Sequence, residues 1–209
     1  MEKNIEQEHE EIVYEDTSVR ELLTLMKDYS ELITDLAYAA IVFESRDLAV
    51  EVGHIEAEMD KMMYLIRLKS MLSARTMEDA EQLSGLLQVA SAAEKISDAA
   101  EDMVGLLDMD VEMRPLLPHI LSEADEKIHT LRIKETSDLA GKDIGDLKIE
   151  SYTGVRIVAL KRGSRWIYGP DGHTLLRSGD LLIVRGVDAG YDELKQVALG
   201  EVKWKEVVS

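Results

Sequence analysis

The apolar residues of this chain change their spacing once, and that change sets the fold. Between Ser18 and Leu107 they recur in steps of three and four, the spacing of one helix face. After Lys127 they alternate, or run in short blocks bounded by glycine, as strands do. The pattern predicts an α+β protein, with an antiparallel helical bundle first and a small α/β domain second.

Local signals place the helices. Ser18 with Glu21 reads as a capping box, and Leu22, Met26, Tyr29, Leu32, Ile33, Leu36, Ala40 and Ile41 follow on one face as far as Phe43. Residues 44–47 read as a tight turn. A second stripe holds Leu48, Val52, Ile55, Met59, Met62, Met63 and Ile66 and fades near Ser73. Thr76 with Asp79 caps a third helix, whose stripe runs from Met77 and Ala80 through Leu83, Leu87, Ala90, Ala93 and Ser97 to about Leu107. Pro115 and Pro118 suit the first turn of a shorter helix with Leu117, Ile120, Leu121 and Ala124. Short connections make neighbouring helices antiparallel. The methionines sit mostly on the inner stripes, where their flexible side chains fill gaps.

The second part reads as strands at 130–134, 155–160, 165–168 and 181–184. A loop with a short helix is expected at 139–147, turns at 161–164 and 169–172, and a closing helix at 188–199. The division is an acidic N-terminal tail (1–16), a bundle (17–127) and a C-terminal domain (128–209). The last is small enough that pairing with a second copy would help to stabilise it.

Charge narrows the function. The 209 residues carry a net charge of -18. Residues 1–134 hold 30 acids against 13 bases, whereas residues 135–209 hold 12 against 11. Such a chain is repelled by nucleic acid and by anionic lipid, so no nucleic-acid partner is expected. The longest stretch without a charge is residues 82–93, 12 residues, against the roughly 20 that a membrane-spanning helix needs. Residues 1–16 lack the basic-then-apolar order of a signal peptide. A cytoplasmic protein with no membrane insertion is expected. The absence of cysteine excludes disulfides, thiolate metal sites and thiol catalysis.

No catalytic set is evident. Nucleophile-elbow, phosphate-loop, dinucleotide and zinc-protease motifs are missing, and His9, His54, His119, His129 and His173 have no metal-ligand spacing on a helix. The chain is not expected to be an enzyme. One helical cluster carries chemistry: Glu94, Asp98 and Glu101 share a face that continues the line of Leu83, Leu87 and Ala90. Such carboxylates either bind a hard divalent metal, with Glu94 and Asp98 as ligands, or face water at an open end of the bundle.

Residues 92–101, Ala-Ala-Glu-Lys-Ile-Ser-Asp-Ala-Ala-Glu, resemble the PhoU signature, and residues 30–40 and 48–52 resemble earlier PhoU helices. The likeness spans residues 17–127 and amounts to one PhoU half. PhoU proteins bind metal clusters through Glu-x-x-x-Asp motifs, which implies Glu94 and Asp98 here. Residues 139–147, 154–162, 169–170 and 176–186 are similar throughout to the TrkA-C (RCK-C) domain. The order resembles an archaeal-type stand-alone regulator of potassium transport without a nucleotide-binding Rossmann half.

The resemblance implies a non-enzymatic regulatory subunit of a potassium or other cation transport system. It further implies a membrane channel or transporter as partner and a homodimer or higher even oligomer. Some TrkA-C domains bind cyclic di-AMP between two paired domains, which places a ligand site at Val155, Arg156, Ile157 and Pro170. Where some binders carry a basic residue ahead of the glycine, this chain has Glu150 or Ser151. Two other readings stand beside this one: a metal-binding PhoU-like regulator of phosphate uptake, and a dimeric scaffold without a ligand.

Overall fold

A computed structural model describes residues 17–109 and 124–207 of the chain. Three long helices come first: α1 (Val19–Val42), α2 (Arg46–Ser73) and α3 (Met77–Gly105). Their starts follow from the caps. The Ser18 hydroxyl accepts from the Glu21 N–H at 3.2 Å, and the Glu21 carboxylate accepts from the Ser18 N–H at 2.7 Å. Thr76 and Asp79 repeat the arrangement at α3, with both bonds at 3.1 Å. These reciprocal bonds satisfy N–H groups that a helix start leaves without partners.

The helices close on Met26, Ile33 and Leu36 of α1 and Leu48, Met59 and Ile66 of α2, all fully buried. The third stripe is a partial correction. Met77 and Ala80 are exposed, and Leu83 and Leu87 are only half-buried. The residues that α3 buries are Ala90, Ser97, Ala100 and Val104. The physical reason is length: α1 has 24 residues against 28 and 29 in α2 and α3, so the tip of the α2–α3 hairpin outruns its cover. A short 3-10 turn, Leu106–Asp108, ends this part. The acidic tail, and the short helix expected from Pro115 and Pro118, lie outside the described residues.

The second part holds β1 (Lys127–Arg132), the short helices α4 (Ile144–Leu147) and α5 (Ile149–Thr153), β2 (Arg156–Arg162), β3 (Arg165–Tyr168), β4 (Leu181–Gly186), α6 (Asp188–Ala198) and α7 (Trp204–Val207). The sheet is antiparallel throughout, in the order β1-β4-β2-β3. β1 starts three residues before the expected strand because its ladder with β4 runs back to Lys127 opposite Gly186. The helices α5 and α7 carry too few apolar repeats to show a period in the sequence.

The sheet has two buried faces. One packs Leu131, Leu160, Leu182 and Val184 against Leu147, Ile149 and Leu194 of the neighbouring helices. The other lies on the bundle: Val158, Ala159 and Ile183 belong to the same apolar cluster as Met26, Leu36 and Val52, with Ile128, Trp166 and Tyr168 packed around them. The bundle thus serves as the second layer of the sheet.

Candidate functional site

The sheet face that meets the bundle also presents basic side chains, and a bulge puts them there. Arg156 and Lys161 are five residues apart, so an unbroken strand would turn them to opposite faces. The β2–β4 register shifts between Ile157 and Ala159, which leaves Val158 as an extra residue. Both bases therefore face the helices. Arg156 Nη1 donates to Glu31 Oε2 at 3.0 Å, and Lys161 Nζ lies 3.5 Å from Asp47 Oδ2.

Arg156 stands directly across the ladder from Arg185 of β4. Two like charges so placed repel unless acids answer them. Glu31 and Asp35, one helical turn apart on α1, supply the acids. Arg185 Nη1 donates to Asp35 Oδ1 at 2.6 Å, and Arg185 Nε lies 3.1 Å from Glu126 Oε2. Hydrogen bonds from Lys27 and Arg156 hold the Glu31 carboxyl below its usual range. Burial pushes Asp35 the other way, above its usual value, although Arg185 opposes the shift. Beside this pair a cleft of about 370 Å³ opens between α1 and the β1–β4 side of the sheet, lined in part by Thr34, Tyr38, Val42 and Ile128.

The four ligand residues expected from the sequence do not share one wall. Val155 is fully buried against Gly186 and Gly190, and Ile157 lies in the core on the far side of the sheet. Arg156 faces α1 with 34% of its side chain exposed. Pro170 is half-buried, next to Gly169, where an added Cβ would come within 2.9 Å of the Leu32 side chain. Arg156 and the turn at Pro170 thus meet the same stretch of α1, at Glu31 and Leu32. Sequence reading missed Glu31, Asp35 and Arg185. Their signal was a charged residue at the end of an apolar strand and a second face on α1 formed by Glu31, Asp35, Tyr38 and Val42.

A second acidic site lies on the bundle. Carboxylate oxygens of Glu56, Asp60 and Asp98 fall within 4.8 Å of one another. Burial raises the Glu56 carboxyl, and the charges of Asp60, Glu101, Asp98 and Glu94 add to the shift. Glu94, expected as a ligand with Asp98, lies 3.4 Å from Arg67 Nη2 of α2. The geometry therefore groups Asp98 with two acids of α2 and gives Glu94 a basic partner.

Residues 23–107 match the family model for the PhoU domain, and residues 128–198 match that for the TrkA-C domain. The chain thus carries a segment that matches the PhoU domain followed by one that matches the TrkA-C domain, and both families are regulatory rather than enzymatic. No curated protein matches it. Among solved structures it is similar to the RCK_C domain dimer of S. agalactiae BusR in complex with c-di-AMP. That match has 26% identity over 34% of this chain and 95% of the other, with a TM-score of 0.33. It is similar too to the RCK C domain of the potassium transport protein KtrA in complex with cyclic diadenosine monophosphate. There the identity is 32% over 37% of this chain and 87% of the other, with a TM-score of 0.33. S. agalactiae BusR in complex with its busAB-promotor DNA matches at 15% identity over 88% of this chain and 98% of the other, with a TM-score of 0.34. Among the described residues no helix is long and apolar enough to cross a membrane.

Proposed function

We propose that the chain is a non-enzymatic cytoplasmic regulator of a potassium or other cation transport system, with a membrane channel or transporter as its partner. Its limits are a bundle over 17–127 and a sensor domain over 128–209. In this reading two sensor domains pair in a homodimer or higher even oligomer and hold a small anionic ligand of the cyclic di-AMP class. Arg156 is its charged contact, the turn at Pro170 borders it, and Val155 and Ile157 fix the strand from behind. The observation that carries the reading is the bond from Arg156 to Glu31. A phosphate that takes Arg156 must displace a carboxylate of the bundle, so occupancy of the sensor and docking of α1 compete. Ligand and bundle then bias one equilibrium, which is how a binding event reaches a distant partner. Calorimetry of the full chain with cyclic di-AMP tests this. No binding leaves the dimeric scaffold as the remaining account.

The acidic group on α2 and α3 supports a second role, a divalent-metal site of the PhoU kind in a regulator of phosphate uptake. Glu56, Asp60 and Asp98 would hold the ion, and Glu94 would join by leaving Arg67. Hard cations take such oxygen ligands. Burial raises Glu56 first and its acidic neighbours add to the shift; a metal there would relieve the part that comes from those neighbours.

A further inference from the structure

We infer that α3 carries a self-association seam by which two copies of the chain pair through their bundles, a contact independent of the ligand reading above. Six residues of α3 form a row along one helix face: Gly85, Val89, Ala92, Ile96, Ala99 and Met103. Their spacing alternates four and three, the heptad spacing of a helix that lies along another helix. Met103, at the C-terminal end of the row, also packs against the apolar core of its own bundle, whereas the other five lie outside that core. Val89 is 62% exposed and Ile96 45%, Gly85, Ala92 and Ala99 are exposed, and Met103 is half-buried.

Two further observations point outward from this row. Glycine inside a helix costs stability, so it needs a reason. Among the described residues Gly85 has none, because a Cβ built there meets nothing within 4 Å. Close approach of another backbone supplies one. Next to the N-terminal end of the row, an open cleft of about 620 Å³ lies between α1 and α3, lined in part by Val19, Leu23 and Leu86, with Arg20 and Lys27 also in its lining.

The occupant follows from charge and from symmetry. Residues 1–134 hold 30 acids against 13 bases, so a second copy is repelled over much of the bundle. The row itself carries no charge, and the chain's longest charge-free run, residues 82–93, covers its first half. Large residues recur every seventh position at Val89, Ile96 and Met103, and small ones every seventh at Gly85, Ala92 and Ala99. In an antiparallel pair about a two-fold axis, one register sets Val89 against Ala99, Ile96 against Ala92 and Met103 against Gly85. Each large side chain then meets a small one on the second copy, which makes the surface self-complementary, as an isologous contact requires. The row is about 27 Å long at the helical rise per residue.

The chain has no cysteine, so introduced thiols report the register without background. Val89→Cys and Ala99→Cys chains are oxidised separately and as a mixture, and covalent products are read on a non-reducing gel. The mixture is expected to give a species at twice the 23.5 kDa chain mass. Either variant alone gives little, because its thiols lie ten residues apart along the seam, about 15 Å, beyond disulfide reach. Adding Ile96→Glu to both chains is expected to abolish the product while circular dichroism keeps its helical signal. No product from the mixture overturns the seam, and this is also the result if residues 1–16 cover the row instead. Equal product from the single variants overturns the register. Cyclic di-AMP binding without the cross-link removes the seam alone; the cross-link without binding removes the ligand reading alone.

Discussion

Arg185 and Asp35 join the two parts of the chain through a 2.6 Å hydrogen bond, and Asp35 is only 1% exposed where it accepts it. The pair is asymmetric, since 38% of the Arg185 side chain remains exposed. Removing the arginine strands a buried carboxylate, whereas removing the carboxylate leaves an arginine with water and Glu126. Losing one partner of a fully buried pair costs about 3–5 kcal/mol. The exposure of Arg185 lowers the expectation for Arg185→Ala to about 2 kcal/mol. Asp35→Asn in the Arg185→Ala background is expected to recover most of that loss. Urea unfolding of the single and double variants measures the coupling.

The same carboxyl gives a pH signature. Burial sets the folded value of Asp35 above its ordinary 3.8. A raised folded value means that the neutral form is favoured in the fold. Its contribution to stability is present below the unfolded value and is lost as pH rises through the folded one. The stability difference between the parent and Asp35→Asn is therefore expected to shift against the parent as pH rises from 3.8, then level off. Glu21, Asp79 and Asp138 are held below their ordinary values by hydrogen bonds from Ser18, Arg75 and Lys203 respectively, and behave oppositely. Their contributions are present at neutral pH and lost on acidification. Urea midpoints of parent and variant from pH 3.5 to 7 separate the two; a constant difference over that range contradicts a raised Asp35 carboxyl.

These residues mark where sequence reading stops. The caps at Ser18 and Thr76 were legible because each is a local bond over three residues. The first strand was legible from alternation and the other three as apolar blocks between glycines. The bulge at Val158 was not, because it depends on the register of β4 rather than on the strand's own residues. Without the bulge, the side on which Arg156 and Lys161 fall cannot be assigned from alternation. Asp35 lay hidden in the same way. It sits on a helix face that reads as solvent until a sheet, more than a hundred residues later, covers it. Glu94 and Asp98 share a helix face, yet α2 gives Arg67 to the first and two more acids to the second.

That separation makes the metal reading testable at single residues. If Glu56, Asp60 and Asp98 hold a divalent ion, Asp98→Asn is expected to weaken manganese binding by at least tenfold. Arg67→Ala, which frees Glu94, is expected to leave it unchanged or tighten it. The ion competes with the proton on the raised Glu56 carboxyl, so affinity is expected to fall as pH drops toward that group's value. Calorimetry with manganese across pH 5–7.5 reads both effects. Equal binding by the parent and Asp98→Asn removes this group as the site.

The ligand reading makes opposite claims for the two ends of one bond. Arg156→Ala removes a charge-assisted contact worth roughly 1.5–3 kcal/mol, so cyclic di-AMP affinity is expected to fall about ten- to a hundredfold. Glu31→Gln removes the carboxylate that competes for the same guanidinium, so affinity is expected to rise. The rise is small because Glu31 is 41% exposed and also binds Lys27 at 2.8 Å. An exposed ion pair contributes at most about 1 kcal/mol, which corresponds to a two- to fivefold gain. Raising salt is expected to weaken the parent more than Arg156→Ala, because the attraction between the guanidinium and a phosphate is partly ionic. Asp35→Asn serves as the control for loosening the junction while keeping the hydrogen bond from Arg156 to Glu31. If it tightens binding as much as Glu31→Gln does, undocking of the bundle and not competition at Arg156 sets the affinity. Titration of the four full-length chains at two salt concentrations decides between these outcomes.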